Sequence, residues 1–401
     1  MFGRSWLLVS WFGLMACGPG TIISGSDLDP VMAGDGDSET LDDAGNRPIS
    51  SDSGPGKPLL GDDAGPGDRA GHDAETTASR LVVQGNRILL DGAPFHGRGA
   101  NLNDVRSCGA CSFAPPDPAG IDRWADELID GWHANFIRFV LSSKSAPYNQ
   151  YELQWNNLVD DPAYLAAIVQ NVRHMTQKPG VYVLVTLFMD PTMKPNNGDY
   201  DSEWPFSMGD TNTRYAALAE AFHDDPKVLF GLTNEPHTSP EHAAELASAY
   251  ARAITTIRAV EDKHGVPHHV VVVQAPGGWA RDLDYFVAHP LAGDQIAYEV
   301  HPYNRASDLD ALLAKPSATL PLVIGEYGLT DLMDESDIRA LWQLAQEHEI
   351  PHIAWAFHHN CPPSLLQNTA PDGCGLSASS GYDFPRTEWG DLLYEHLKTT
   401  W

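Results

Sequence analysis

The chain has 401 residues, 42% of them hydrophobic, which is enough for one large domain or two average ones. Its 54 acidic residues exceed its 25 basic ones, so the net charge is −29. Such a surface repels nucleic acid and anionic membranes, and neither is expected as a partner.

Residues 1–17 are predicted to be a targeting segment. Arg4 precedes a short apolar run at residues 6–16, which is too short to span a bilayer as a helix. The run ends in LMACG at residues 14–18, which resembles a bacterial lipoprotein signal whose cysteine receives lipid after cleavage. We therefore expect export and an anchor on Cys17, at the bacterial outer membrane or cell surface. An ordinary secretory signal is the alternative, because Met15 stands where a smaller residue is usual.

Residues 18–79 are predicted to form a disordered, acidic Gly/Asp/Ser/Pro linker. They contain no Phe, Trp or Tyr and carry thirteen acidic residues against three basic ones. A segment this polar cannot bury enough apolar surface to fold, and we expect an extended tether.

Ordered structure is predicted over residues 80–401. Residues 81–95 have the pattern of a hairpin with turns at Gly85-Asn86 and Asp91-Gly92. Strand-like runs then alternate with helical patterns, and the runs lie at 96–102, 135–141, 181–188, 228–232, 269–274, 295–301, 320–325 and 352–357. Eight such units predict an α/β fold, a (β/α)8 TIM barrel. A doubly wound sheet is the rival, but residues 97–101 do not match its usual Gly-rich turn.

Chemically useful side chains lie where these strands end, which is where barrels carry their active sites. They are Arg138 on the second strand, Asn234 and Glu235 on the fourth, Glu299, His301 and Tyr303 on the sixth, Glu326 on the seventh, and Trp355 on the eighth with Phe357 on the same face. Each alone has a structural explanation, such as a capped strand end or a core aromatic. Their joint occurrence around the mouth of one barrel is improbable by chance.

Two carboxylates on opposite walls of a barrel suit glycoside hydrolysis. That reaction needs one protonated carboxyl for the leaving oxygen and a second carboxylate to attack or to activate water. Arg138 beside Glu326 would favour its ionised form, whereas Glu235 against a more apolar wall would retain a proton. The indole of Trp355 is suited to stack on the apolar face of a sugar.

The ordered part resembles glycoside hydrolase family 5, cellulase-like retaining enzymes of the (β/α)8 clan. The most specific motif is LTNEP at residues 232–236, supported by IGEYG at 324–328 and EVHPY at 299–303. The resemblance implies that Glu235 is the acid/base and Glu326 the nucleophile. It further implies that Asn234 binds the sugar 2-hydroxyl, that Arg138 and Tyr303 orient Glu326, that His301 lies near the acid/base, and that Trp355 floors the subsite of the cleaved sugar.

One position departs from the family pattern. Phe188 stands about where such enzymes usually carry a histidine at the end of the third strand. The usual donor to the sugar 3-hydroxyl is then missing, and Asp190 or the loop at 191–206 is the candidate to replace it.

We therefore expect a monomeric endo-β-1,4-glucanase that acts on a polysaccharide by double displacement, without cofactor or metal. Alternatives are a β-mannanase, a β-1,3/1,6-glucan-active relative, and an inactive surface barrel that only binds carbohydrate. A metal at His358-His359-Asn360 is not expected, because no carboxylate follows at ligand spacing.

Four cysteines remain after Cys17, and an even number in an exported protein favours disulfides. Cys108 and Cys111 follow the first strand, and Cys361 and Cys374 follow the eighth, so the two loops are neighbours in a closed barrel. A local Cys361–Cys374 bridge and cross-links between the loops both remain open, with a four-thiolate zinc site as the rival.

Overall fold

The computed structural model describes residues 79–104, 117–141, 157–187, 212–236, 242–277 and 279–399. The predicted signal, with Cys17, lies outside these ranges, as does the predicted linker up to residue 78, so both stay predictions. Within the described ranges, none of the helices combines the length and apolar character needed to cross a membrane.

A small antiparallel sheet precedes the barrel, as predicted. It consists of β1 (Leu81–Gln84), β2 (Arg87–Leu90) and β3 (Ala93–Pro94). Glycines at positive φ supply both turns, Gly85 at 61° and Gly92 at 81°, a conformation that disfavours a side chain.

This sheet closes one end of the molecule. Leu81, Ile88 and Phe95 form one apolar cluster with residues from the starts of the barrel strands. Phe95 makes edge-on ring contacts with Phe136 at 5.3 Å and with Tyr182 at 5.0 Å. The C-terminal ends of the strands lie at the opposite end of the barrel.

Eight parallel strands form a closed barrel in chain order, which confirms the predicted TIM barrel. They are β4 (Arg98–Asn103), β5 (Phe136–Leu141), β6 (Tyr182–Leu187), β7 (Val228–Gly231), β8 (Val271–Gln274), β9 (Ile296–Val300), β10 (Leu322–Ile324) and β11 (His352–Ala354). The barrel closes between β11 and β4, where Ala354 pairs with Ala100.

Strand β5 shows how side-chain alternation positions the site. Ile137 and Phe139 join the large core between barrel and helices. Phe136 and Val140 point the other way, into clusters at the bottom and the top of the barrel interior. Arg138 is two residues away from each of them along the strand, so its side chain projects into the barrel as theirs do.

Helices cover the outside of the barrel. They are α1 (Pro118–Asp126), α2 (Asn157–Asp160), α3 (Pro162–Thr176), α4 (Asn212–Phe222), α5 (Ala243–His264), α6 (Asp284–Ala288), α7 (Ala306–Leu309), α8 (Lys315–Ser317), α9 (Glu335–Glu347) and α10 (Glu388–Leu397). Single π-helical turns extend α1 over Glu127–Gly131 and α7 over Asp310–Ala314.

Local sequence explains where several of these helices begin. Asp117 and Asp161 accept hydrogen bonds from backbone N–H groups of the first turns of α1 and α3, each followed by proline. Asp334 and Asp337 form a reciprocal capping box on α9. The side chain of Thr387 caps α10 by accepting a hydrogen bond from the Gly390 N–H.

Candidate active site

Arg138 is the centre of a buried polar network at the C-terminal end of the barrel. Its side chain is fully buried, and Nη1 donates to Glu326 Oε1 at 2.9 Å and to Asn101 Oδ1 at 2.8 Å. Nη2 donates to Asn234 Oδ1 at 2.7 Å. Nε lies 2.8 Å from Glu299 Oε1, an ion-pair contact rather than an aligned hydrogen bond. Arg138 thus forms ion pairs with two carboxylates, those of Glu299 and Glu326.

Glu326 follows β10 and is buried, with 5% of its surface exposed. Both residues expected to orient it do contact it, since Tyr303 Oη donates to Oε2 at 3.1 Å and Arg138 holds Oε1. Burial raises the pKa of Glu326 to about 7, with a further upward contribution from Glu235, although His301 and Arg138 favour its ionised form.

Glu235 lies just beyond β7, next to Asn234. Its φ of 43° is the left-handed region, which a residue with a side chain adopts only when its surroundings hold it there. Gln274 Oε1, at the end of β8, accepts its backbone N–H. The turn thereby directs the Glu235 side chain, one fifth of which is exposed, over the mouth of the barrel.

His301 lies between two carboxylates. Nδ1 is 2.9 Å from Glu235 Oε1 and Nε2 is 2.8 Å from Glu299 Oε1. Burial favours the neutral ring, but the surrounding carboxylates, that of Glu326 foremost, raise the pKa of His301 to about 9. The ring is therefore an imidazolium at neutral pH, with each N–H facing a carboxylate, and neither nitrogen has a lone pair to offer a metal.

This network is electrically neutral only when one of its carboxyls holds a proton. Arg138 and His301 supply two positive charges, and Arg138 and His301 keep the pKa of Glu299 low despite its burial. Glu299, Glu326 and Glu235 are three acids, so a buried cluster without net charge contains one protonated carboxyl. Carboxyl oxygens of Glu235 and Glu326 lie within 4.8 Å of each other and of a His301 nitrogen, which is close enough for the two acids to titrate as a coupled pair.

Trp355 follows β11 and packs with Tyr303, Val140 and Cys361 beside this network, with 6% of its surface exposed. Its backbone carbonyl accepts from Trp389 Nε1 at 2.8 Å. Phe357, predicted on the same face, instead contacts rings of α1 and the residues that follow it, because the strand ends at Ala354 and its alternation does not continue.

Three residues of the site were not recognised from the sequence. Asn101 and Gln274 are polar residues within or at the end of barrel strands. A search for polar side chains at those positions, which identified the other residues, could have identified these two as well. Arg281 comes from the loop after β8, and burial lowers its pKa while the nearby Glu235 and Tyr303 act in the opposite direction. Its Nε is buried and has no hydrogen-bond partner among the described residues.

The cysteines and histidines that follow β11 take part in disulfide bonds and in contacts within their loop. Cys361 and Cys374 are both disulfide-bonded, whereas Cys108 and Cys111 lie outside the described residues, so the pairing stays a prediction. His359 contacts Asn368 Oδ1 through Nδ1 and the Cys374 carbonyl through Nε2. Phe188 and Asp190 also lie outside the described ranges, so the departure at the third strand is untested.

Comparison with known proteins identifies relatives of this architecture. Residues 95–360 match the family model for cellulase, glycosyl hydrolase family 5. Endoglucanase A of Butyrivibrio fibrisolvens is 24% identical over 302 residues, which cover 72% of this chain but only 61% of that relative. The match thus spans about three fifths of the curated relative's length.

Solved structures share the fold. A β-glucanase of Saccharophagus degradans in complex with cellotetraose superposes with a TM-score of 0.60 at 19% identity, over 80% of this chain and 93% of that one. A β-mannanase of Streptomyces thermolilacinus superposes with a TM-score of 0.54 at 19% identity, over 78% and 93% of the two chains. At such identities the likeness shows a common fold.

Proposed function

The chain belongs to glycosyl hydrolase family 5, and from that membership we propose that it is a retaining endo-β-1,4-glucanase with Glu326 as nucleophile and Glu235 as acid/base. The observation that carries the proposal is the separation of their carboxyl oxygens, within 4.8 Å. Retaining glycosidases hold their two carboxyls about 5 Å apart, whereas inverting ones need about 6.5–9.5 Å to admit a water.

In the first half of the proposed reaction, a carboxylate oxygen of Glu326 bonds to the anomeric carbon. The bond from that carbon to the leaving oxygen breaks, and the leaving oxygen takes the proton of Glu235. The product is a glycosyl ester on Glu326. Arg138 and Tyr303 hold the two oxygens of the nucleophile, which keeps the attacking atom in one position.

In the second half, water attacks the same carbon and gives a proton to Glu235. The ester bond to Glu326 breaks, which restores its carboxylate and releases a sugar of unchanged anomeric configuration. No cofactor takes part in either half.

The charge of the buried network is the same before and after the first half. Glu326 loses its negative charge when it becomes an ester, and Glu235 gains one when it loses its proton. His301 is 2.9 Å from Glu235, so its positive charge stabilises the new carboxylate. A cluster of constant net charge avoids a desolvation penalty during turnover.

The choice of a β-1,4-glucan is supported by the relative named endoglucanase A and by the β-glucanase solved with cellotetraose. In this proposal Trp355 forms the floor of the subsite for the cleaved sugar, and Asn234 binds the sugar 2-hydroxyl. A β-mannanase is the second candidate, because one of the proteins sharing the fold carries that name.

We further propose that the enzyme is exported and attached through lipid on Cys17. The apolar run before LMACG at residues 14–18 and the acidic, aromatic-free residues 18–79 support an anchor followed by a spacer. Its partner is polysaccharide, and a monomer suffices because Glu235 and Glu326 lie in one barrel.

The test uses the full chain on soluble cellulose derivatives, mixed-linkage glucan, β-mannan and β-1,3/1,6-glucan, with product sizes measured over time. We expect rapid shortening of β-1,4-glucan and, by NMR, a first product in the β configuration. Glu326→Gln should bind the glycan without turning it over. A first product in the α configuration, or turnover by Glu326→Gln, would overturn the mechanism, and preferential mannan cleavage would overturn the substrate.

A further inference from the structure

A second group of titratable side chains lies outside the barrel, where α4 meets α5. Glu220 belongs to the last turn of α4, His223 follows that helix directly, and His264 is the last residue of α5. One nitrogen of each histidine and one Glu220 oxygen all lie within 4.8 Å of one another. The two imidazole rings are stacked, with centroids 3.8 Å apart and planes inclined by 17°.

From this arrangement we propose that Glu220, His223 and His264 bind a divalent transition-metal ion, with zinc as the best fit. Two imidazoles and one carboxylate are a donor set that zinc accepts, with water completing a tetrahedron. All three side chains are at least partly exposed, so an ion can reach them from solvent.

Coordination requires one of the two stacked rings to rotate, because an imidazole lone pair lies in the plane of its ring and the two planes are nearly parallel. His223 Nδ1 lies 2.8 Å from the Glu220 carbonyl oxygen, so that nitrogen carries the proton and Nε2 keeps a lone pair for a metal. His264 Nε2 lies 2.5 Å from Glu220 Oε2. Metal binding would replace the proton between those two atoms and release it to solvent.

Backbone electrostatics at the cluster also favour a cation. Helix α4 ends at Phe222 and α5 at His264, so the partial negative charges of two helix C-termini lie beside the carboxylate. Lys263 Nζ contacts Glu220, but the Lys263 side chain is 63% exposed. It can turn into solvent when the ion takes its place.

The proposed site is separate from the active site. Helices of a barrel run opposite to the strands that precede them, so the C-termini of α4 and α5 lie at the end of the barrel away from Glu235 and Glu326. Zinc here would tie two neighbouring helices together. It would raise the stability of the barrel without entering the chemistry.

Calorimetric titration of zinc into the metal-free full chain tests the proposal, with thermal unfolding followed in parallel. We expect one equivalent to bind and, at about 100 times Kd, a Tm increase of a few degrees. His223→Gln and His264→Gln should each weaken binding more than tenfold, because even residues behind metal ligands contribute 10–100-fold. His289→Gln removes an exposed histidine elsewhere and should leave Kd unchanged.

Three results would overturn the proposal. The first is no saturable binding by the parent chain. The second is equal binding by the His223→Gln, His264→Gln double variant. The third is loss of the binding heat in Glu326→Gln with the cluster intact, which would move the ion to the barrel mouth, where Glu235, His301 and Glu326 also lie within 4.8 Å.

Discussion

Arg138 donates to Glu326 at 2.9 Å through Nη1 and to Asn234 at 2.7 Å through Nη2, so one guanidinium ties the end of β10 to the end of β7. Asn234 immediately precedes Glu235 in the chain. The planar fork of an arginine fixes both contacts at once, because its donors cannot move independently. The distance between the proposed nucleophile and acid/base therefore depends on a residue that takes no part in bond making.

Replacing Arg138 by lysine should lower kcat by about 10²–10³-fold, the range seen when one oriented donor is removed from an active site. Lysine keeps the charge but cannot reach both Glu326 and Asn234. Arg258→Lys is the matched control, because Arg258 pairs with buried Glu261 away from the site and its change should affect Tm rather than kcat. An unchanged kcat in Arg138→Lys would show that the fork does not position the pair.

The activity of the parent enzyme should fall as the pH rises through about 7. Burial, with a contribution from Glu235, raises the pKa of Glu326 to about that value, and above it the pair holds no proton for the leaving oxygen. The measurement is kcat/KM against pH on a β-1,4-glucan. A flat profile from pH 5 to 9 would contradict the shared proton.

Glu235→Gln should distinguish the proposed acid/base role of Glu235 from the proposed nucleophile role of Glu326. Its turnover of natural glycan should fall about 10²–10⁴-fold, the usual contribution of acid–base catalysis. A glycoside with an activated leaving group should still react with Glu326, because its departure needs no proton. As the pH rises, the rate of that reaction should reach its plateau at a lower pH than in the parent enzyme. The reason is that removal of the Glu235 charge removes one cause of the raised pKa of Glu326. Equal losses on both substrates would contradict the acid/base assignment.

His301 should make stability depend on pH. Its folded-state pKa is raised to about 9 from an ordinary value near 6.5, so its contribution is complete below pH 6.5 and is lost as the pH rises through 9. Urea unfolding of the parent chain at pH 6 and pH 9.5 should show a loss of stability that His301→Gln lacks. The same loss in both proteins would assign it to another group.

The proposed anchor predicts where the protein is found in cells. Cys17→Ser removes the thiol that would carry lipid, so the protein should move from the membrane fraction to the soluble exported fraction. A chain shortened by removing residues 20–70 but retaining Cys17 is the control and should stay with membranes. An unchanged membrane fraction in Cys17→Ser would refute lipid attachment.

The barrel was predictable because its strands are short, apolar and regularly spaced. Seven of the eight lie within their expected runs, and β4 extends one residue beyond its run, to Asn103. The grouping of charged side chains at the barrel mouth was predictable for a related reason, since Arg138, Glu235 and Glu326 interrupt or end apolar strands where a charge is otherwise costly. Both predictions rest on local patterns. The barrel prediction is confirmed, and its closure brings the strand ends together, whereas the catalytic roles of these side chains stay a prediction.

Other features depend on contacts that local patterns do not encode. Strand alternation placed Phe357 beside Trp355, but β11 ends at Ala354 and the chain then turns toward α1. Arg281 lies in a loop without periodicity, so its approach to Glu235 emerges only from the fold. Gln274 was visible as the polar end of β8, but its role in holding the Glu235 backbone required coordinates.

Gly325 offers the last test, because Glu299 lies directly against its backbone. A Cβ at this position would overlap the Glu299 carboxylate and its Cγ. Glu299 cannot move aside without losing Arg138 and His301, both within 2.8 Å. Gly325→Ala should therefore cost about 1–3 kcal/mol in free energy of unfolding, as overpacking does, and should lower kcat because the displaced carboxylate shifts Arg138.

The matched control for that variant is Gly277→Ala, since a Cβ at Gly277 meets Asp282 only at an ordinary 3.4 Å. Urea unfolding and kcat of both variants are compared with the parent chain. The control should stay within about 0.5 kcal/mol, the range of substitutions that remove or crowd no contact. Parent-like stability and kcat in Gly325→Ala would mean that Glu299 yields freely, and its place as the fixed third carboxylate of the network would have to be abandoned.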